Sequence, residues 1–113
     1  MRVTRKRPRA SSAELERFAS IIVGRFHPNR IILFGSHAEG RAGSDSDIDL
    51  LVIVSRSVSA SSIRCALPDR VSIDLLVRTE RQLNRRLRIG DPFFKEIVER
   101  GKVLYDARRT RVG

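Results

Sequence analysis

Apolar residues along this chain alternate between helical and strand spacing. Leu15, Phe18, Ala19, Ile22 and Phe26 recur at three- and four-residue intervals behind Ser11 and Glu14, which have the spacing of a capping box. A helix is therefore expected over about residues 12–26, closed by Pro28, with His27 in a structural role beside that proline. Arg30 to Phe34 is a short β-branched and aromatic run that ends in Gly-Ser and predicts a buried strand feeding a tight turn. The small, polar segment from His37 to Ser46 predicts a short helical turn followed by a loop. Asp47 to Val54 is a second strand, apolar on both faces except for the aspartates at its start.

After the serine-rich stretch Ser55 to Ser62, a brief helix is expected around Ile63 to Leu67, ended by Pro68. Val71 to Val77 is a third strand, with Val71, Ile73, Leu75 and Val77 on one face and Ser72, Asp74 and Leu76 on the other. Thr79 and Gln82 form a second capping-box pair, opening a helix that turns Leu83 and Leu87 inward and ends near Gly90. Asp91-Pro92 is an N-cap followed by the first-turn proline of another helix. Its stripe is Phe93, Phe94, Ile97 and Val98, and the Phe93-Phe94 pair is expected to point into the core rather than to support self-association. Gly101 stops it, and Lys102 to Asp106 is a short last strand at a sheet edge. The fold class is thus α/β (α+β), a small mixed sheet of about four strands flanked by helices.

The length of 113 residues fits one compact domain. The division expected is a basic arm at 1–10, a domain at 11–106 and a basic tail at 107–113. With 41% hydrophobic content but five Phe, one Tyr and no Trp, the core must be built chiefly from Ile, Leu and Val. The single cysteine, Cys65, excludes an intrachain disulfide, a thiolate zinc site and a CxxC pair, and no apolar stretch has the length of a signal peptide or membrane span. A cytoplasmic location is expected. The net charge of +10 attracts polyanions without naming one, and much of it is crowded into Arg2, Arg5, Lys6, Arg7 and Arg9 and into Arg108, Arg109 and Arg111.

The aspartates carry the chemistry. Asp47 and Asp49, two apart on a strand, share a face a few ångströms apart. Such a pair repels unless a positive charge sits between them. An arginine could do so, but a hard divalent cation held by one or two carboxylates and substrate phosphates requires this donor set. Asp74 breaks a second apolar run and could converge with them if the strands are neighbours. One aspartate at a strand end is commonly a turn former or cap. Three are harder to explain so, because buried charge is costly unless paired or metal-bound. Gly35-Ser36 directly after the first strand can bring backbone N–H groups and a hydroxyl to phosphate oxygens, although it lacks both the Walker and the dinucleotide-binding patterns. Ten residues separate Ser36 from Asp47.

The string LFGSHAEGRAGSDSDIDLLVIV resembles the signature of the DNA polymerase β-like nucleotidyltransferase superfamily, nearest its minimal nucleotidyltransferase (MNT) branch. VSIDLLV resembles the strand carrying that family's third acid, and DPFFKEIVERGKVLYD its closing helix and strand. The resemblance implies the polymerase β-like fold, with Gly35 and Ser36 on the triphosphate, Asp47 and Asp49 on two Mg²⁺ ions, and Asp74 completing the second metal position and activating the attacking hydroxyl. It implies transfer of AMP from ATP to a hydroxyl, the acceptor being a tyrosine of a HEPN-domain toxin for which the chain serves as antitoxin. Where many MNT members have arginines after Gly-Ser, this chain has His37 and Glu39, with Arg41 able to compensate. The length leaves no room for an acceptor-binding domain, so that surface is expected from a partner protein or a second subunit. Two alternatives stand beside this one: a non-catalytic protein that masks a HEPN partner, and a basic nucleic-acid-binding module, the latter without an aromatic platform or a known motif.

Overall fold

The computed structural model describes residues 11–40, 47–69 and 71–110. The arm at 1–10, the connection at 41–46 with Arg41, and the last three residues of the basic tail lie outside the described residues. Four strands, β1 (Arg30–Phe34), β2 (Ile48–Val54), β3 (Ile73–Thr79) and β4 (Lys102–Asp106), form one mixed sheet in the order β3-β2-β1-β4. β1 pairs antiparallel with both β2 and β4, and β2 pairs parallel with β3. The helices are α1 (Ser12–Phe26), α2 (Ala60–Ala66), α3 (Glu80–Arg88), α4 (Pro92–Arg100) and the short α5 (Ala107–Thr110). No helix among the described residues is long and apolar enough to cross a membrane.

The period-two pattern of β2 divides the core. Ile48, Leu50, Val52 and Val54 face α1 and α2, where Leu15, Phe18, Ala19, Ile22 and Ile63 pack on them. Leu51 and Ile53 face the other way, toward Leu83, Phe94 and Ile97 of α3 and α4. Covered on both faces, β2 reads as an apolar run from Leu50 to Val54. Asp49 therefore lies on the α3/α4 face, beyond the end of the packed layer.

The helix caps account for the element boundaries. Ser11 and Glu14 form the expected capping box on α1, and Thr79 and Gln82 form the one on α3. His27 closes α1 in the left-handed region at φ 51°, its N–H donating to the Val23 carbonyl. α2 begins three residues earlier than its apolar residues indicate, because the Ser59 hydroxyl accepts from the Ser62 N–H at 3.1 Å. Asp91 accepts from the Phe93 N–H at 3.0 Å, starting α4 at Pro92. Gly101 ends α4 against β1: a Cβ there would run into the Ile97 carbonyl and meet Ile32 Cγ2 at 2.5 Å.

The third strand lies two residues later than its pattern indicates, at Ile73–Thr79 in place of 71–77, and the expectation for Phe93 fails. Phe93 is 51% exposed, whereas Phe94 is 5% exposed and buried. The first turn of α4 overhangs the end of the sheet, so its inward stripe starts at Phe94 and Phe93 stands edge-on to Phe34 with ring centroids 6.0 Å apart.

The basic tail starts as α5, and Asp106 is its cap. Asp106 is buried, and its Oδ1 accepts from the Arg108 N–H at 3.0 Å. The hydrogen bond and charge of the Arg108 side chain hold the Asp106 carboxyl below the usual carboxylate range, against the opposing effect of burial. Its contribution to stability is thus present above the unfolded-state pKa and lost as pH falls through the lowered folded-state value. Asp106→Ala should cost about 1 kcal/mol, a melting shift of roughly 4–8 °C at neutral pH. In thermal melts the difference from the wild type should shrink in acid.

Candidate functional site

β2 and β3 set the positions of two carboxylates directly. Their parallel register pairs Ile48 with Ile73, Asp49 with Asp74 and Leu50 with Leu75. Register partners in a parallel pair share a face, so Asp49 and Asp74 stand side by side about 4.8 Å apart at the backbone. Arg64 of α2 fixes the chain before β3 by donating to the carbonyls of Leu67, Pro68 and Val71 at 3.4, 3.1 and 2.8 Å. An arginine inside a short amphipathic helix gives no sequence signal of this role.

Asp47 lies one residue ahead of β2 and is exposed. Its Oδ1 accepts a 2.6 Å hydrogen bond from the Ser72 hydroxyl, and its carbonyl lies 3.1 Å from His37 Nδ1. A carbonyl can only accept, so Nδ1 carries the proton in this contact. His37 thus donates, as its position after Gly-Ser suggests, but to the backbone of an acidic residue. Ser72 is the residue that sequence reasoning passes over: it is an ordinary exposed serine until β3 comes to lie beside β2.

Burial raises the Asp49 carboxyl above its usual pKa, and the charges of Asp74 and Asp47 push it further, while His37 acts in the opposite direction. The three acids therefore lie within electrostatic reach of one another, and among the described residues no arginine or lysine pairs with them. Among the described residues, no group of three has its side chains set as a ready-made metal site. The Ser72 bond holds the Asp47 carboxylate in its present orientation. The donor chemistry fits a hard divalent cation: carboxylate oxygens with surplus negative charge, at a strand end open to solvent.

Gly35 is built against this group. Phe34 is the register partner of Asp49 across β1 and β2, and Gly35 follows it at φ +76°. A Cβ at Gly35 would overlap Asp49 Oδ2 and lie 3.1 Å from its Cγ. Gly35 to His37 form a 3-10 turn in which the N–H groups of Ala38 and Glu39 both bond to the Gly35 carbonyl. The glycine thus brings its backbone, and Ser36 beside it, against the carboxylates. All five residues singled out in the sequence, Gly35, Ser36, Asp47, Asp49 and Asp74, come together at one end of the sheet.

Residues 16–110 match the family described as polymerase beta, nucleotidyltransferase. The chain is similar to a protein of Methanocaldococcus jannaschii named as a candidate protein adenylyltransferase, at 34% identity over 79 residues, spanning 67% of this chain and 77% of that one. Its fold is similar to the crystal structure of a candidate nucleotidyltransferase from Sulfolobus solfataricus, with a TM-score of 0.58 and 16% identity, covering 87% of this chain and 82% of the other.

Proposed function

The chain belongs to the polymerase β nucleotidyltransferase family, and on that premise we propose that it transfers AMP from ATP to a hydroxyl on another protein. The observation that carries this reading is the in-register pair Asp49 and Asp74 with the Gly35 backbone pressed against Asp49. It gives paired carboxylates and a phosphate-accessible backbone at one sheet end. Asp47, Asp49 and Asp74 would hold two Mg²⁺ ions, Asp47 giving up its hydrogen bond from Ser72 to do so. When bound, such ions neutralise charge on the attacking and leaving oxygens of an in-line displacement. Ser36 and the turn that follows bind the triphosphate.

The acceptor oxygen attacks the α-phosphorus, and the bond from that phosphorus to the bridging oxygen of the β-phosphate breaks. Pyrophosphate leaves with the electron pair, and the hydroxyl proton passes to Asp74. The acceptor we favour is a tyrosine of a HEPN-domain partner for which this chain acts as antitoxin. The resemblance of the Leu33 to Val54 segment to the MNT signature supports that choice, and the name of the Methanocaldococcus relative supports a protein acceptor.

The test is incubation of the protein with α-labelled ATP, Mg²⁺ and the product of the neighbouring gene. Label should appear on the neighbour and be absent with Asp47→Asn. Complex formation without labelling would instead make the chain a masking protein. Salt-sensitive RNA or DNA binding that Asp47→Asn leaves unchanged would make it a nucleic-acid module.

A further inference from the structure

Beside Gly35, on the side away from Asp74, a groove of about 300 Å³ opens between the turn after β1 and one face of α4. Phe34, Gly35 and Ala38 form one wall, and Phe93, Glu96 and Arg100 line the other. This size is at the small end of ligand pockets. Phe93 is the unexpected element, a large aromatic left half-exposed and held edge-on by Phe34 and also by Phe94, at 5.2 Å between centroids. Two perpendicular ring contacts hold Phe93 in place, and its half-exposure leaves part of the ring open to a further aromatic group.

Glu96 and Arg100 stand one helical turn apart on α4, and neither forms an ion pair or side-chain hydrogen bond among the described residues. Their charges cancel, and Glu39 on the opposite wall adds a further carboxylate, so the groove has no excess of positive charge to draw a triphosphate. It offers a carboxylate acceptor, a guanidinium donor and an aromatic face.

We propose that this groove seats the nucleobase of the triphosphate, with the base stacked on Phe93 and an exocyclic amine donating to Glu96. The proposal rests on the nucleotidyltransferase reading of the carboxylates. It selects adenine over uracil, because uracil has no exocyclic amine. Arg100 donates to a ring nitrogen or carbonyl at the edge of the base.

Calorimetric titration of the whole chain with ATP, UTP and inorganic tripolyphosphate, each with Mg²⁺, tests it. Stacking on an aromatic side chain is worth about tenfold to a hundredfold in affinity. Phe93→Ala should therefore weaken ATP by at least about tenfold and leave tripolyphosphate unchanged. Phe93→Leu, which keeps apolar area without the aromatic face, should behave like the alanine variant. Glu96→Gln should narrow the preference for ATP over UTP. Equal affinity of ATP and tripolyphosphate in the wild type, or an unchanged ATP affinity in Phe93→Ala, would overturn the base site while leaving the carboxylate reading intact. If none of the three ligands binds, the carboxylate reading falls and the base site with it.

Discussion

Asp49→Asn should abolish nucleotidyl transfer and raise the melting temperature of the ligand-free protein. Both effects have one cause. Asp49 stands in register with Asp74 and within reach of Asp47, and its burial raises the energy of its ionised form. A raised folded-state pKa means that folding penalises the charged carboxylate: the penalty is fully present above that raised value and disappears once the pH falls below the unfolded-state value. Asparagine has the same shape without the charge and can donate to Asp74. Relieving like charges on adjacent strands is worth about 0.5–1 kcal/mol, or a few degrees of melting temperature.

The cost falls on catalysis. Charge stabilisation by metal in the transition state is worth several kcal/mol, so loss of a metal ligand should lower kcat/KM on the order of 10³-fold or more. A second consequence separates this from a folding defect. Mg²⁺ with ATP should raise the wild-type melting temperature and leave that of Asp49→Asn nearly unchanged. If the variant melts lower than the wild type at neutral pH, the carboxylates are not in conflict and the site needs another explanation. Repeating the melts at acidic pH should remove the advantage of the variant, because Asp49 is then protonated in the wild type as well.

What the sequence made legible follows from how local each feature is. α1, α3 and α4 carry their own caps, so spacing alone locates them, and β2 identifies itself by being apolar on both faces. The partnership of Asp74 was conditional, since pairing between β2 and β3 spans a crossover through α2 and depends on tertiary packing. Ser72 was invisible for the same reason: its bond to Asp47 exists only once the two strands are side by side. Phe93 was misplaced because a helical stripe shows which side faces inward but not where the sheet beneath it ends. The same feature that defeated the pattern, an aromatic residue overhanging the sheet, is what opens the groove next to Gly35.

Gly35→Ala is the substitution expected to do most damage for the fewest atoms added. Two penalties act at that position. The backbone is at φ +76°, a region where a non-glycine residue costs about 1–3 kcal/mol. The new methyl would also overlap the Asp49 carboxylate, which belongs to the site itself. Gly90 separates the two, because its φ of +79° is nearly the same and a Cβ there would meet nothing within 4 Å. Gly90→Ala should therefore show the backbone cost alone, with transfer activity close to wild type. Gly35→Ala should lose more stability than Gly90→Ala and lose activity by about 10²-fold or more, since displacing a reacting-site group by about 1 Å is enough for that. Adding Asp49→Ala to Gly35→Ala should recover stability by removing the clashing group, without recovering activity. That combination distinguishes a glycine kept for its turn from one kept for the carboxylate against it. Equal stability losses at Gly35 and Gly90, with activity retained in both, would show that the approach of Gly35 to Asp49 has no part in the chemistry.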